Sequence, residues 1–341
     1  TTTTTTTMLS NIVSNHFPQQ GISLAFGYGS RVIKQESNLN GSDLIDVIFA
    51  VDDPLQWHRD NLLRNNQHYS ILRHLSQAPE RIAYIQEHYG ARIYFNPYVA
   101  IGNLSIKYGV IKTEHLIQDL LNWTDLYVAG RLHKPVEFII NTCDKNDRLR
   151  QALRFNKESA IRAALLQLPE SFEPSLLYKT ITNLSYNGDP RMWFGEDKNK
   201  INNIVSKQLD RFDQLYLPII RMSASFKESV HFNESKRLLV QDCSPNMIFK
   251  NLKLLPRDVK KRICETYGRE ARTPECDVIL ASLSRNLNCD KVISRVLAGI
   301  VLRSSSTQSI KGLFSAGLLK SLKYSQRKLM KSLVSRIGWS A

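Results

Sequence analysis

The sequence predicts an α/β domain, then a mostly helical domain, then a basic amphipathic helix at the C-terminus. Three observations predict this order. Short apolar runs rich in branched residues alternate with helical stretches up to about residue 142. From Asp147 onward a helical periodicity dominates. The last stretch, Lys291 to Ala341, carries ten Lys or Arg and no Asp or Glu. At 341 residues, 42% hydrophobic and 23% charged, the chain is long enough for two globular domains and an appendage.

The seven threonines that open the chain are set aside as foreign to the fold, and the reading starts at Met8. Residues 22–26 (ISLAF) form an apolar strand that runs into a tight turn, Gly27-Tyr28-Gly29-Ser30. Residues 31–42 are polar and loop-like. Leu44 to Val51 is a second, buried strand with one acid, Asp46, near its middle, where burial of a charge is expensive. Pro54 to Ser76 reads as one helix with Leu55, Leu62, Leu63, Ile71, Leu72 and Leu75 on its apolar side. Residues 94–99 and 104–111 are strand-like, 116–126 helical, and 134–140 a further strand. Beyond them, 149–168, 173–184 and 198–216 read as helices, and 241–305 as helical with loops. The expected divisions are 8–146, 147–240, 241–305 and 306–341.

The net charge of +15 is unevenly placed. The 290 residues before Lys291 hold only +5 of it. A compact body with a basic tail suggests an anionic surface as partner, lipid or nucleic acid. No uncharged apolar run reaches the roughly 18 residues that a span requires. The best candidate, Val292 to Leu302, contains Arg295. Five cysteines (Cys143, Cys243, Cys264, Cys276, Cys289) are scattered with no C-x-x-C, so reduced thiols are expected, with neither a disulfide nor a zinc site.

The tail itself has a pattern. On a helix over 318–337, Leu318, Leu319, Leu322, Leu329, Met330, Leu333, Val334 and Ile337 fall on one side. Lys320, Lys323, Arg327, Lys328 and Lys331 gather on the adjoining side, and Trp339 follows. Such a helix suits an anionic membrane surface, where each basic residue contributes about 1 kcal/mol. The other reading is a helix packed on the body with its lysines in water.

The chemistry-bearing features lie in the first domain. Gly29-Ser30 offers backbone N–H groups and a hydroxyl to triphosphate oxygens. Asp46 on the next strand can hold Mg²⁺ against those phosphates. In this order they resemble the nucleotidyltransferase pattern, in which a Gly-Ser turn precedes a strand with acids at i and i+2. Here position 44 is Leu, and the acids are Asp43 and Asp46. Three apart on a regular strand, they point to opposite faces. Either the strand bends at Asp43 or the second acid comes from elsewhere, Glu137 being one candidate.

Longer strings are more specific: AFGYGSRVIKQ (25–35), LIDVIFAVDDPLQWHRDNLLRNNQHYS (44–70), YFNPYV (94–99), IKYGVI (106–111), LYVAGRLHKPV (126–136), LSYNGDPRM (184–192), GEDKNKINNIV (195–205) and SSSTQSIKGLFSAG (304–317). Over nearly the whole chain they resemble the mitochondrial translocator assembly and maintenance proteins, the mitochondrial CDP-diacylglycerol synthases. The resemblance implies a phosphatidate cytidylyltransferase that uses CTP, phosphatidic acid and Mg²⁺ to make CDP-diacylglycerol and pyrophosphate for phosphatidylglycerol and cardiolipin synthesis. It implies a nucleotidyltransferase-like domain, a winged-helix-like second domain and a C-terminal membrane-binding helix, on the matrix side of the inner mitochondrial membrane.

Roles follow by residue type. Gly29 and Ser30 would hold phosphates, and Asp46 with Asp43 would hold the metal. Lys107, Arg131, Lys134, Arg191, Lys198 and Lys200 are the cations available to two anionic substrates. The nucleophile is the substrate's own ionised phosphate, so His58, His68 and His133 read as structural. Tyr69 and Tyr98 could stack on cytosine or belong to the core. Leu322, Leu329, Leu333 and Trp339 would enter the membrane interface. No nucleic acid is expected, although a nucleotidyltransferase acting on RNA is a rival reading. A second rival, motivated by Leu44, is a membrane-peripheral assembly factor without catalysis.

Overall fold

A computed structural model describes residues 2–29, 32, 44–194, 199–271 and 275–316. Ser30, Asp43, Lys198 and all the tail residues named above, from Leu318 to Trp339, lie outside the described residues.

The first domain is a five-stranded sheet with helices on both faces. Its strands are β1 (Ile22–Tyr28), β2 (Leu44–Val51), β3 (Ile93–Ile101), β4 (Leu104–Lys112) and β5 (Glu137–Asn141), in the spatial order β3-β4-β2-β1-β5. β2 runs parallel to β4, and every other neighbouring pair is antiparallel. Because β2 is central and covered on both faces, it reads as a continuous apolar run rather than an alternating one. Its Ile48 and Ala50 join the main core with Leu24 and Phe26, while Val47, Phe49 and Val51 join the opposite face.

That opposite face is covered by α1 (Thr2–His16), through Leu9 and Val13, and by Phe17 just after it. Thr2 to Thr7 form the first turns of α1, and Thr6 Oγ1 donates to Glu137 Oε1 at 2.5 Å.

The helix read as 54–76 ends earlier. α2 (Pro54–Asn65) starts with the Asp53 side chain accepting from the Gln56 N–H, and Pro54 suits the first turn. Asn65 then turns inward, donating to His16 O at 2.7 Å and Asn61 Oδ1 at 2.8 Å. The chain passes into 3₁₀ turns at 66–68 and 71–74, which bury His68 and Tyr69. Leu63, Ile71 and Leu75, expected on the apolar side, are 84%, 69% and 42% exposed. α3 (Ala78–His88) follows, an element that the sequence reading did not separate.

The segment after α4 (Thr113–Asn122) carries Tyr127, Arg131 and Lys134, and one carboxylate shapes it. Buried Asp119 accepts four backbone N–H bonds, from Asp125 and Leu126 at Oδ1 (3.0 and 2.8 Å) and from Val128 and Ala129 at Oδ2 (3.0 and 2.9 Å). These bonds hold a backbone with positive φ at Trp123 (54°) and Leu126 (49°), which costs L-residues about 1–2 kcal/mol each. Asn156 braces the same loop. It donates to Ala129 O at 3.1 Å and accepts from Trp123 Nε1 and His133 Nε2 at 2.8 and 3.0 Å.

Beyond residue 146 the fold is mostly helical. α5 (Asp147–Leu165), α6 (Pro174–Asn183), α7 (Arg191–Phe194), α8 (Lys200–Ser206), α9 (Leu209–Met222) and α10 (Ala224–Lys227) pack beside a small antiparallel sheet. Its strands β6 (Ser171–Phe172), β7 (Val230–Asn233) and β8 (Leu238–Gln241) lie in the order β6-β8-β7. The helix read as 198–216 is two helices, broken between Ser206 and Leu209.

α11 (Pro245–Lys253), α12 (Arg257–Ala271), α13 (Cys276–Leu283) and α14 (Cys289–Ala316) complete the described chain. The expectation of reduced cysteines fails at one pair. α12 and α13 lie side by side with the Cα atoms of Cys264 and Cys276 5.5 Å apart, and the two are disulfide-bonded, while Cys143, Cys243 and Cys289 are free. A lone pair of cysteines twelve residues apart does not announce that packing.

The expected boundary between 305 and 306 also falls inside an element. α14 runs through it and docks on the first domain. Gln308 accepts from Ala91 N–H at 3.0 Å and donates to Ile93 O at 3.1 Å, and Lys311 Nζ donates to Gln86 O and Tyr89 O at 3.2 and 2.9 Å. One apolar cluster extends from Leu24 to Val301 across the other two expected divisions. Among the described residues, no helix is long and apolar enough to cross a membrane.

Two stability predictions follow from these networks. Asp119→Asn replaces one acceptor oxygen with an NH₂ group, so two of the four loop amides lose their partner. Unfolding stability in urea should fall by about 2–4 kcal/mol. The second concerns pH. Burial pushes His58 down to about 4 and His133 to about 3. The unfolded chain binds these protons near the ordinary pKa of about 6.5. Stability from the neutral rings is therefore complete above that pH and is lost as pH falls toward 4. The urea midpoint should drop between pH 6.5 and 5, and a His58→Gln, His133→Gln double variant should show a flatter profile.

Candidate active site

Strand register builds the centre of the site. Tyr28 on β1 pairs with Asp46 on β2, and Asp46 pairs with Lys107 on β4. Alternation places all three on the face that also carries Phe26 and Ile48. Tyr28 Oη donates to Asp46 Oδ1 at 3.3 Å, and Lys107 Nζ stands 3.5 Å from the same oxygen. Lys107 Nζ also lies 4.8 Å from the centre of the Phe95 ring on β3. At Gly29 φ is +92°, a value that favours glycine, and a Cβ there would lie 3.7 Å from Asp46 Oδ2. The glycine turn thus borders the carboxylate.

The loop held by Asp119 supplies the second wall. Arg131 Nη1 donates to Tyr127 O at 2.5 Å, and its guanidinium lies 4.0 Å from the Tyr127 ring and 5.3 Å from the Tyr28 ring. Burial, and then Asp46, pushes the Tyr28 phenol up to about 12. Burial acts the same way on Tyr127, but Arg131, Arg191 and Lys107 together bring that phenol below its ordinary value.

Residues 185–191, with Lys200, bring the third group. Asp189, buried in a turn after α6, accepts from Arg191 Nε and Nη2, and despite its burial the guanidinium holds it below the ordinary carboxylate range. Lys134 Nζ donates to Gly130 O and to Ser185 Oγ, the latter at 2.9 Å. It lies 5.0 Å from the Tyr186 ring, and Lys200 Nζ lies 4.9 Å from the same ring. Burial, followed by Arg131 and Lys200, drives the Lys134 ammonium well below the ordinary lysine range.

Of the residues expected at the site, Gly29, Asp46, Lys107, Arg131, Lys134, Arg191 and Lys200 fall in this neighbourhood. Glu137 does not. It pairs with Gly27, which also faces Val47, so it lies on the other side of the sheet from Asp46. There it meets Thr6 and, at 3.5 Å, Arg211. The histidines are structural, as expected: His58 accepts from Tyr69 Oη and donates to Gln86 Oε1, both at 2.8 Å. Tyr69 belongs to the core. Sequence reasoning missed the aromatic platforms Tyr28, Tyr127 and Tyr186. The available signal was an aromatic residue beside each catalytic-type residue in GYGS, LYVAGR and SYNGDPR.

Asp46 suits a small hard cation. Its side chain is 26% exposed, and its contacts to Tyr28 and Lys107 are long. Among the described residues no three His, Cys, Asp or Glu side chains converge as metal ligands. Mg²⁺ is commonly held by one or two carboxylates plus substrate phosphates, which this arrangement fits.

Comparison with known proteins agrees with the geometry. The family model "Phosphatidate cytidylyltransferase, mitochondrial" matches residues 9–331. The protein of that name from Danio rerio is 44% identical over 322 residues, covering 94% of this chain and 93% of the relative. Those from Drosophila melanogaster and Caenorhabditis elegans are 40% and 37% identical, covering 93% and 94% of this chain and 96% and 97% of the relatives. At this identity and coverage, the chain belongs to the mitochondrial phosphatidate cytidylyltransferase family.

Proposed function

We propose that this chain transfers CMP from CTP to phosphatidic acid, giving CDP-diacylglycerol and pyrophosphate. The observation that carries the reading is Asp46, partly open between the Gly29 turn and Lys107, with the Arg131 guanidinium held against the neighbouring Tyr28 and Tyr127 rings. Two anionic substrates can meet only where cations neutralise both.

In this reading Gly29, with Ser30, binds the triphosphate. Asp46 holds Mg²⁺, with Asp43 as the second acid. The metal, when bound, neutralises triphosphate charge and polarises the phosphate under attack. An oxygen of the phosphatidate phosphate forms a bond to the α-phosphorus of CTP. The bond from that phosphorus to its bridging oxygen breaks, and pyrophosphate leaves with the electron pair. The attacking phosphate is already ionised, so no side chain has to remove a proton. Lys107 and Arg131 orient the phosphates and stabilise the charge that builds up in the transition state.

The remaining parts of the proposal concern place. Residues 147–240 form a winged-helix-like unit, supported by the three-stranded antiparallel sheet beside α5–α10. The basic amphipathic segment 318–337 holds the enzyme on an anionic membrane as a peripheral protein, on the matrix side of the inner mitochondrial membrane. Its product supplies phosphatidylglycerol and cardiolipin synthesis. What supports this arrangement is that α14, whose last described residue is Ala316, docks on the first domain through Gln308 and Lys311.

Asp46→Ala should lower CDP-diacylglycerol formation by about 10²-fold or more with an unchanged unfolding midpoint. Full activity in that variant would overturn the metal assignment. Removing residues 318–341 should weaken binding to anionic vesicles, and wild-type binding should fall as salt rises. Equal binding by both proteins would reject the tail as the membrane contact.

A further inference from the structure

The cations fall into two sets by their contacts. Lys107 stands 3.5 Å from Asp46 and Arg131 lies on the Tyr28 and Tyr127 rings, whereas Lys134 and Lys200 share the Tyr186 ring. The first set adjoins Asp46 and the glycine turn. The second is built in the seam between the 126–134 loop and the turn that follows α6.

That seam is tight. A Cβ at Gly130 would come within 2.4 Å of Ser185 Cβ, so the loop and the turn press together without room for a side chain. The turn is held in its own right, because a Cβ at Gly188, where φ is +89°, would come within 2.2 Å of Ala298 O on α14. Into this seam the chain places a half-buried lysine. The two acceptors that Lys134 Nζ reaches, Gly130 O and Ser185 Oγ, are neutral. Beside it, Arg131 Nε is buried without a hydrogen-bond partner. Among the described residues the Lys134 ammonium is thus held by neutral oxygens only, and a multiply charged anion arriving beside it would offset its desolvation.

We propose that Lys134, with Lys200 on the same Tyr186 ring, forms the seat for the acceptor's phosphomonoester, separate from the triphosphate seat at Gly29, Asp46 and Lys107. The assignment rests on the cytidylyltransferase reading. It also matches what the reaction demands. The incoming oxygen and the departing pyrophosphate must lie on opposite sides of the α-phosphorus. A seat for the acceptor phosphate separate from the triphosphate seat meets that demand. An ammonium is a compact point charge, suited to a terminal phosphate dianion.

The test uses the full chain and four proteins: wild type, Lys134→Gln, Lys134→Arg and Lys200→Gln. CTP affinity is measured with Mg²⁺ present, and KM is measured against the mole fraction of phosphatidic acid in vesicles. Lys134→Gln should raise that KM about tenfold or more with CTP affinity changed less than about twofold. Lys134→Arg should recover most of the loss, and Lys200→Gln should show the same split if Lys134→Gln does not fold. A parallel loss of CTP affinity, or an unchanged KM in both Gln variants, overturns the assignment. Vesicle binding separates the two levels of the claim. If wild type makes no product, the cytidylyltransferase reading fails. The seat itself then stands only if wild type prefers phosphatidic acid to phosphatidylglycerol vesicles and the Gln variants lose that preference.

Discussion

Four backbone N–H groups share the carboxylate of Asp119, and the site depends on that contact. The loop from Trp123 to Lys134 has no regular hydrogen-bonding ladder of its own. It also crosses the left-handed region at two residues with large side chains. Without an internal acceptor, its amides would seek water and the loop would open. With Asp119 beneath it, the loop presents Tyr127, Arg131 and Lys134 from one fixed backbone. Asn156 on α5 braces it from the other side, so the helical region helps to shape a loop of the first domain.

The same logic explains why so many cations can be placed together. Arg131 lies against the rings of Tyr28 and Tyr127, and Lys134 and Lys200 against Tyr186. Aromatic faces accept positive charge without neutralising it. Carboxylate partners would quench the field that anionic substrates need. Among the described residues, the two acids in the neighbourhood have specific places. Asp189 orients Arg191, and Asp46 borders the glycine turn with part of its side chain open. Side chains from β1, β2, β4, the 126–134 loop and residues 185–191 with Lys200 thus face one another because one apolar core passes under all of them.

Much of the first domain was legible in the sequence. Strands with branched apolar runs were placed within a few residues, because a buried strand leaves a strong local signal. Asp46 stood out as an acid inside such a run. The cations at 107, 131, 134, 191 and 200 were legible as candidates through the family-like strings, but their convergence is a tertiary fact. The failures have physical causes. Asn65 ends α2 through a contact with His16, 49 residues earlier, which no local propensity encodes. The Cys264–Cys276 pairing depends on how α12 folds back on α13. Nothing local to Gln308 and Lys311 signals burial, yet both are buried against the first domain, where backbone groups need partners. Glu137 was a fair candidate on sequence alone, and strand register removed it.

CMP transfer makes a direct statement about which phosphorus of CTP reaches the lipid. Purified protein would be incubated with Mg²⁺, phosphatidic acid vesicles and CTP labelled either at the α- or the γ-phosphorus. The lipid and aqueous phases would then be counted. CMP transfer predicts α-label in the lipid and γ-label in soluble pyrophosphate. Label from the γ-phosphorus in the lipid, or no label in the lipid from either, would contradict it.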